Sequence, residues 1–151
     1  MKLDIFTDGG CSGNPGPAAV GVVIKNGPDT IKTISRAIGD GTNNIAEYTA
    51  LIVGLQEALI LKADEVSITT DSELMCKQVL GEYAVKHGNI KPLFDQVKHL
   101  MTGFKSFQIR NVPREQNSEA DALVRKILKK AVQDGRSDAN GVGEESPSSK
   151  G

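Results

Sequence analysis

Asp8, Glu47, Asp71 and Asp121 are four acids placed where an α/β fold gathers its reactive groups. Asp8 closes the apolar run K-L-D-I-F-T-D and opens a glycine-rich loop, G-G-C-S-G-N-P-G-P. Asp71 closes a second run, E-V-S-I-T-T-D, and Glu47 and Asp121 fall in the first turns of two helical patterns. Four carboxylates sharing one small volume would cost on the order of several kcal/mol through repulsion and desolvation. Such a cluster therefore implies protonation or bound metal. Magnesium or manganese suits it, because hard divalent cations prefer oxygen ligands.

The elements that must position these acids follow from the periodicity. Residues 2–8 predict a strand, residues 18–26 a very apolar and hence central one, and residues 30–38 a third, with turn chemistry at 26–29. Short connections make these an antiparallel meander. From Asn44 the period becomes helical, with Ile45, Tyr48, Ile52, Leu55 and Leu59 on one face and Asn43 or Asn44 as N-cap. Residues 65–71 predict a fourth strand, and Ser72 starts a short helix to about Leu80. A helix near Pro92 ends at Gly103, residues 104–112 form the fifth strand, and a last helix runs from Ser118 to about Val132. The order βββ-α-β-α-α-β-α predicts an α/β fold: a five-stranded mixed sheet, strands 1–3 antiparallel and 1-4-5 parallel, with helices on both faces. A right-handed crossover sets strand 4 parallel to strand 1. Asp8 and Asp71 then lie at adjacent carboxyl ends, beside the switch point where such sheets bind ligands.

The formal net charge of −1 argues at first against a nucleic-acid partner. That figure mixes regions. Residues 134–151 contribute −2, so the rest of the chain carries +1, and +5 without the four clustered acids. A mildly basic surface around an acidic focus permits a phosphate-backbone partner. Two cysteines, Cys11 and Cys76, are too few for a disulfide framework, and Cys76 sits among Leu74, Met75, Val79 and Leu80 as a buried thiol. No apolar run is long enough to span a membrane, and M-K-L-D-I carries an acid where a signal peptide needs apolar residues. A cytoplasmic protein with no membrane partner is the expectation. Beyond Asp134 the Gly, Ser, Asn, Asp and Glu content predicts a disordered tail.

The segments T-D-G-G-C-S-G-N-P-G-P, N-N-I-A-E-Y-T-A-L, T-D-S-E-L and P-R-E-Q-N-S-E-A-D-A-L, in that order, resemble type 1 ribonuclease H. The match covers residue 1 to about 133, which implies a ribonuclease H-like catalytic domain over 1–133 and a tail over 134–151. It further implies a monomeric endonuclease that hydrolyses the RNA strand of RNA–DNA hybrids, serving removal of RNA primers and R-loops in replication and repair. Two magnesium ions, with manganese as a substitute, would be held by Asp8, Glu47, Asp71 and Asp121. Two metals about 3.5–4 Å apart can supply the nucleophile, the charge relief and the leaving-group stabilisation.

Many members of that family carry a histidine in the loop before the last helix. Here the loop reads V-P-R-E-Q-N, similar to a subgroup with arginine, so Arg114 takes the place of that group. Arginine cannot shuttle protons at neutral pH, but it can contact phosphate or help move a metal; Glu115 is a weaker candidate beside it. His99 reads as a surface residue, and His87 lies in a glycine-bracketed loop beside Tyr83 and Lys86.

Distinguishing ribose from deoxyribose means reading the 2′-hydroxyl. By resemblance, Gly9, Cys11, Asn14, Asn44 and Glu73 match positions near the RNA strand, and Thr42, Asn43 and Asn14 match contacts to a DNA phosphate or its sugar. Turn or cap chemistry is the competing reading for each, most strongly for Asn14 before Pro15. The basic, tryptophan-bearing protrusion of some members is absent, since the chain has no Trp and the segment 81–91 is short. Tyr83, Lys86 and Lys91 remain for groove contacts, which predicts weaker, salt-sensitive hybrid binding. Transposase-type and junction-cutting nucleases keep an acidic cluster but lack these glycine-loop and A-D-A-L contexts. Actin-like phosphotransferases need two such domains, and an idle hybrid-binding module would have lost its acids.

Overall fold

A computed structural model describes the backbone of residues 1–139 and the side chains of residues 1–131. Three antiparallel strands open the chain: β1 (Lys2–Cys11), β2 (Gly16–Asn26) and β3 (Asp29–Gly41). Helix α1 (Asn43–Ile60) crosses to β4 (Glu65–Thr70), which pairs parallel to β1. Helices α2 (Glu73–Val79) and α3 (Lys91–Met101) lead to β5 (Ser106–Asn111), parallel to β4. A 3-10 turn (Arg114–Asn117) then enters α4 (Ser118–Ala139).

The sheet order is β3-β2-β1-β4-β5. The mixed sheet and its antiparallel and parallel halves are as the periodicity predicts. The central strand is not. The run A-A-V-G-V-V-I places β2 second from the edge, and β1 holds the centre. Both strands are covered on two faces, so apolarity cannot rank them.

Neighbouring residues of β1 face opposite helices. A Cβ on Gly9 would meet Ala46 of α1, and one on Gly10 would meet Val124 and Leu128 of α4. On the α1 side, Leu3, Ile5, Val22, Ile24, Leu51, Leu55, Val66 and Ile68 are fully buried. Each contributes about 1.5–3 kcal/mol relative to exposure. Together they outweigh by far the few kcal/mol that a crowded carboxylate site costs.

Several boundaries differ from expectation: β1 runs on to Cys11, into the expected glycine-rich loop, β3 extends to Gly41, and β5 is confined to Ser106–Asn111. The N-cap of α1 is Thr42, whose hydroxyl accepts from the Ile45 N–H at 3.2 Å, in place of Asn43 or Asn44. Thr and Asn both cap well, so composition alone does not choose among the three positions. Helix α4 continues to Ala139, past the end expected at Val132 and through the first residues of the expected tail. Once a helix is nucleated, each added residue gains a hydrogen bond at small entropic cost. The rest of the expected tail, residues 140–151, lies outside the described residues.

Candidate active site

The ladder between β1 and β4 ends at the pair Phe6↔Thr69. Beyond it β1 stays with β2, whereas β4 stays with β5 as far as Thr70↔Asn111. The two strands therefore part, and Asp8 and Asp71 stand on either side of the opening. Asp71 is fixed by the turn that follows β4. The Ser72 N–H donates to Thr70 Oγ1 at 3.0 Å, and Ser72 Oγ accepts from the Met75 N–H at 3.2 Å, capping α2.

The two helical acids are seated by glycines of the sheet. A Cβ on Gly9 would lie 2.3 Å from the carbonyl carbon and oxygen of Ala46 and 2.6 Å from the nitrogen of Glu47. Only a residue with no side chain lets α1 come down there, and the Gly9 N–H then donates to Glu47 Oε1 at 3.2 Å. On the opposite face, a Cβ on Gly21 would lie 2.5 Å from the Ala120 carbonyl oxygen, next to Asp121. Gly9 and Gly21 thus set the depth of Glu47 and Asp121.

Asp8, Glu47 and Asp71 each offer one carboxylate oxygen, and these oxygens lie within 4.8 Å of one another. Asp121 lines the same cleft but stands outside that tight group, held by Arg125 Nε at 2.8 Å. Arg114 Nε lies 3.6 Å from Asp71 Oδ2, too far for a hydrogen bond. Asp71 Oδ2 is accordingly buried without a hydrogen-bond partner. Burial, then the charges of Asp71 and Asp121, push Asp8 up to about 8, against a smaller pull from Arg114. Burial also drives Glu47 well above the carboxylate range, reinforced by Asp8 and Asp71 and opposed by the Gly9 N–H and Arg114. The local field thus favours bound protons or a cation.

Asp8, Glu47 and Asp121 line a cleft of about 300 Å³ whose walls include Gly10, Cys11, Asn43, Arg114 and Arg125. Asn43 is also a wall of a neighbouring cleft of about 360 Å³, formed with Asn14, Thr42, Asn44, His87, Asn89 and Ile90. His87 in turn borders a hollow of about 440 Å³ with Tyr83, Lys86 and Leu74. Three concavities therefore run side by side, joined at Asn43 and His87.

Within this track the Cys11 thiol donates to Asn43 Oδ1 at 3.2 Å, and the Asn43 N–H donates to Asn14 Oδ1 at 3.1 Å. Burial raises the Cys11 thiol. Glu73 is not brought into either polar cleft; it is exposed on α2 and lies 3.4 Å from Lys77. Lys91 pairs with Asp95 at 2.6 Å, His99 is exposed on α3, and Cys76 is buried and free.

Three residues were missed from sequence. Arg125 is four residues after Asp121, an i,i+4 spacing visible in D-A-L-V-R. Asn89 carried no signal beyond its loop. Asn117 is only 1% exposed and donates from Nδ2 to the Thr7 carbonyl at 2.9 Å. Its place before S-E-A-D marked it only as the residue ahead of the last helix.

Comparison with known proteins adds to this geometry. A family model described as reverse transcriptase-like matches residues 6–127. The bifunctional protein Rv2228c of Mycobacterium tuberculosis is 38% identical over the whole of this chain, which spans 43% of that protein's length. The crystal structure of ribonuclease H1 from the halophilic archaeon Halobacterium salinarum superposes with a TM-score of 0.83 at 36% identity, covering 86% of this chain and 99% of that one. LC11 ribonuclease H1, solved in complex with an RNA/DNA hybrid, gives a TM-score of 0.80 at 40% identity, covering 86% and 99%.

Proposed function

This chain belongs to the type 1 ribonuclease H family, and on that premise we propose that it is an endonuclease hydrolysing the RNA strand of RNA–DNA hybrids. The observation that carries the proposal is the convergence of Asp8, Glu47 and Asp71 within 4.8 Å, beside an Asp71 oxygen buried with no partner. That donor set is all carboxylate. It fits a hard divalent cation, magnesium by preference and manganese as a substitute. Asp8, Glu47 and Asp71 would hold a divalent ion, and Asp121, on the same cleft as Asp8 and Glu47, would complete the set for two. Bound there, the metals supply an activated water and charge relief on the phosphodiester.

The chain's own residues do the rest. Gly9 and Gly21 fix the depth of the helical acids, and the Gly9 N–H orients Glu47. Arg114, 76% exposed and already turned towards Asp71, belongs to the arginine-bearing subgroup and serves as a phosphate contact. It is not a proton carrier, since it stays charged at neutral pH. Asn14, Thr42, Asn43 and Asn44 present amide and hydroxyl groups to the sugar-phosphate backbone, and Gly9 and Cys11 border the RNA strand. Donors without excess charge suit this positioning role. Glu73, at the start of α2, would reach the RNA only at the margin. The neighbouring concavities joined at Asn43 and His87 form a track for the duplex, with Tyr83 and Lys86 in place of a protrusion. A monomer removing primer and R-loop RNA is the corresponding cellular reading. Among the described residues, no helix is long and apolar enough to cross a membrane.

The test is a cleavage panel with end-labelled hybrid, duplex RNA and an RNA–DNA junction, with magnesium and with manganese. Metal-dependent cuts in the RNA of the hybrid, lost in Asp8→Asn, are expected. Full activity in that variant would remove the site assignment, and binding without any cleavage would favour an idle hybrid-binding module.

A further inference from the structure

We infer that Asn117 is a positioning residue of the acidic site, holding the Asp8 strand end and the Asp121 helix at a fixed separation through the gap between β1 and β4. The inference rests on the metal-site reading above and concerns a side chain that touches neither metal nor substrate.

The gap begins where the β1–β4 ladder stops, after Phe6↔Thr69. Thr7 has no partner on β4, and the Asn117 amide donates to its carbonyl from 110 residues away. Asn117 closes the 3-10 turn that begins at Arg114, whose guanidinium faces Asp71. Four residues later comes Asp121. One buried amide is therefore tied to the residue before Asp8, to the turn facing Asp71 and to the helix bearing Asp121. A shift of that amide would move all three.

The bond to Thr7 uses only part of the amide's hydrogen-bonding capacity. Among the described residues, Asn117 Oδ1 is buried with no hydrogen-bond partner, and so is Thr7 Oγ1. An apolar side chain in its place would leave the buried Thr7 carbonyl without this donor. What the amide offers is a directional bond at the mouth of a split sheet, where an apolar residue could fill space but could not set register. Groups that orient metal ligands from behind act on affinity in this way.

The experiment titrates magnesium or manganese into substrate-free protein by calorimetry, alongside thermal melts and hybrid-cleavage kinetics. Asn117→Ala should lose about tenfold or more in metal affinity, and kcat should fall with KM for the hybrid little changed. Val97→Ala, a cavity in the core on α3 (Val97 is 0% exposed), should melt earlier yet titrate like the wild type. If Asn117→Ala does not fold, Asn117→Leu, which fills the space without a donor, is read by the same titration. A folded Asn117 variant with wild-type metal affinity and kcat overturns the inference. A wild type that takes up no metal overturns the metal-site reading, and this inference with it.

Discussion

Replacing Asp8 with Asn should make the metal-free protein more stable while abolishing cleavage. Asp8 is 5% exposed, and its carboxyl is raised from 3.8 to about 8 by burial first and then by Asp71 and Asp121. A raised acid binds its proton more tightly in the folded state. Stability is therefore fully present below pH 3.8 and is lost as pH rises towards 8. Each unit of that window removes about 1.4 kcal/mol, so the whole loss is on the order of 5 kcal/mol. Asn has the shape of the carboxyl without the charge, and the Asp8 contribution to the slope vanishes. Glu47, raised by the same neighbours, leaves a weaker slope of the same sign. Urea unfolding in the presence of a chelator, from pH 5 to 8.5, measures this directly. Asp8→Asn should exceed the wild type by about 3 kcal/mol or more near pH 8, the gap narrowing towards pH 5. A wild type whose metal-free stability is flat or rises over that range would refute the reasoning, as would a variant less stable than the wild type.

Magnesium should reverse the slope, because ligand carboxylates must be deprotonated to bind it; thermal melts at pH 6 and 8 should show the larger metal-induced gain at pH 8, and equal gains would count against the site. Gly9→Ala puts a methyl 2.3 Å from the Ala46 backbone and should cost about 1–3 kcal/mol or more in urea unfolding, with cleavage lost alongside. Tyr48→Phe removes the 2.6 Å bond that the Tyr48 hydroxyl donates to Gln78 Oε1, leaving a buried acceptor unpaired; about 1–3 kcal/mol should be lost. Hybrid affinity should fall steeply with salt, with a log–log slope of about −0.9 per phosphate neutralised. An affinity indifferent to salt would contradict a backbone-reading surface.

Much of the fold was legible because local and global signals agree. The alternation through residues 30–38, the helical spacing from Ile45 and the run ending at Asp71 each set one element, and the connections left few topologies. Legibility failed where the deciding contact is remote. β2 looked central because two-sided burial is a property it shares with β1. Thr42, Asn43 and Asn44 are equivalent caps until backbone geometry selects Thr42. The acids were visible as strand ends and helix starts, but the segregation of Asp121 onto Arg125 depends on side-chain orientation. Asn117 could not be read at all, because its meaning is a bond to Thr7 across nearly the length of the domain.

The glycines under the two helices carry a consequence for reading relatives of this chain. The acids are interchangeable with their amides at little steric cost, so a lineage can shed chemistry and keep its architecture. Gly9 and Gly21 are not interchangeable, since the space a side chain would need is occupied by another element's backbone. Glycine pattern and acid pattern therefore answer to different physical constraints: the first to the packing of the scaffold, the second to the chemistry of the site. A homologue retaining both glycines but lacking Asp8 or Asp71 would be a folded protein in retirement from catalysis. One with all four acids and a bulky residue at either glycine would hold the right functional groups at the wrong depth.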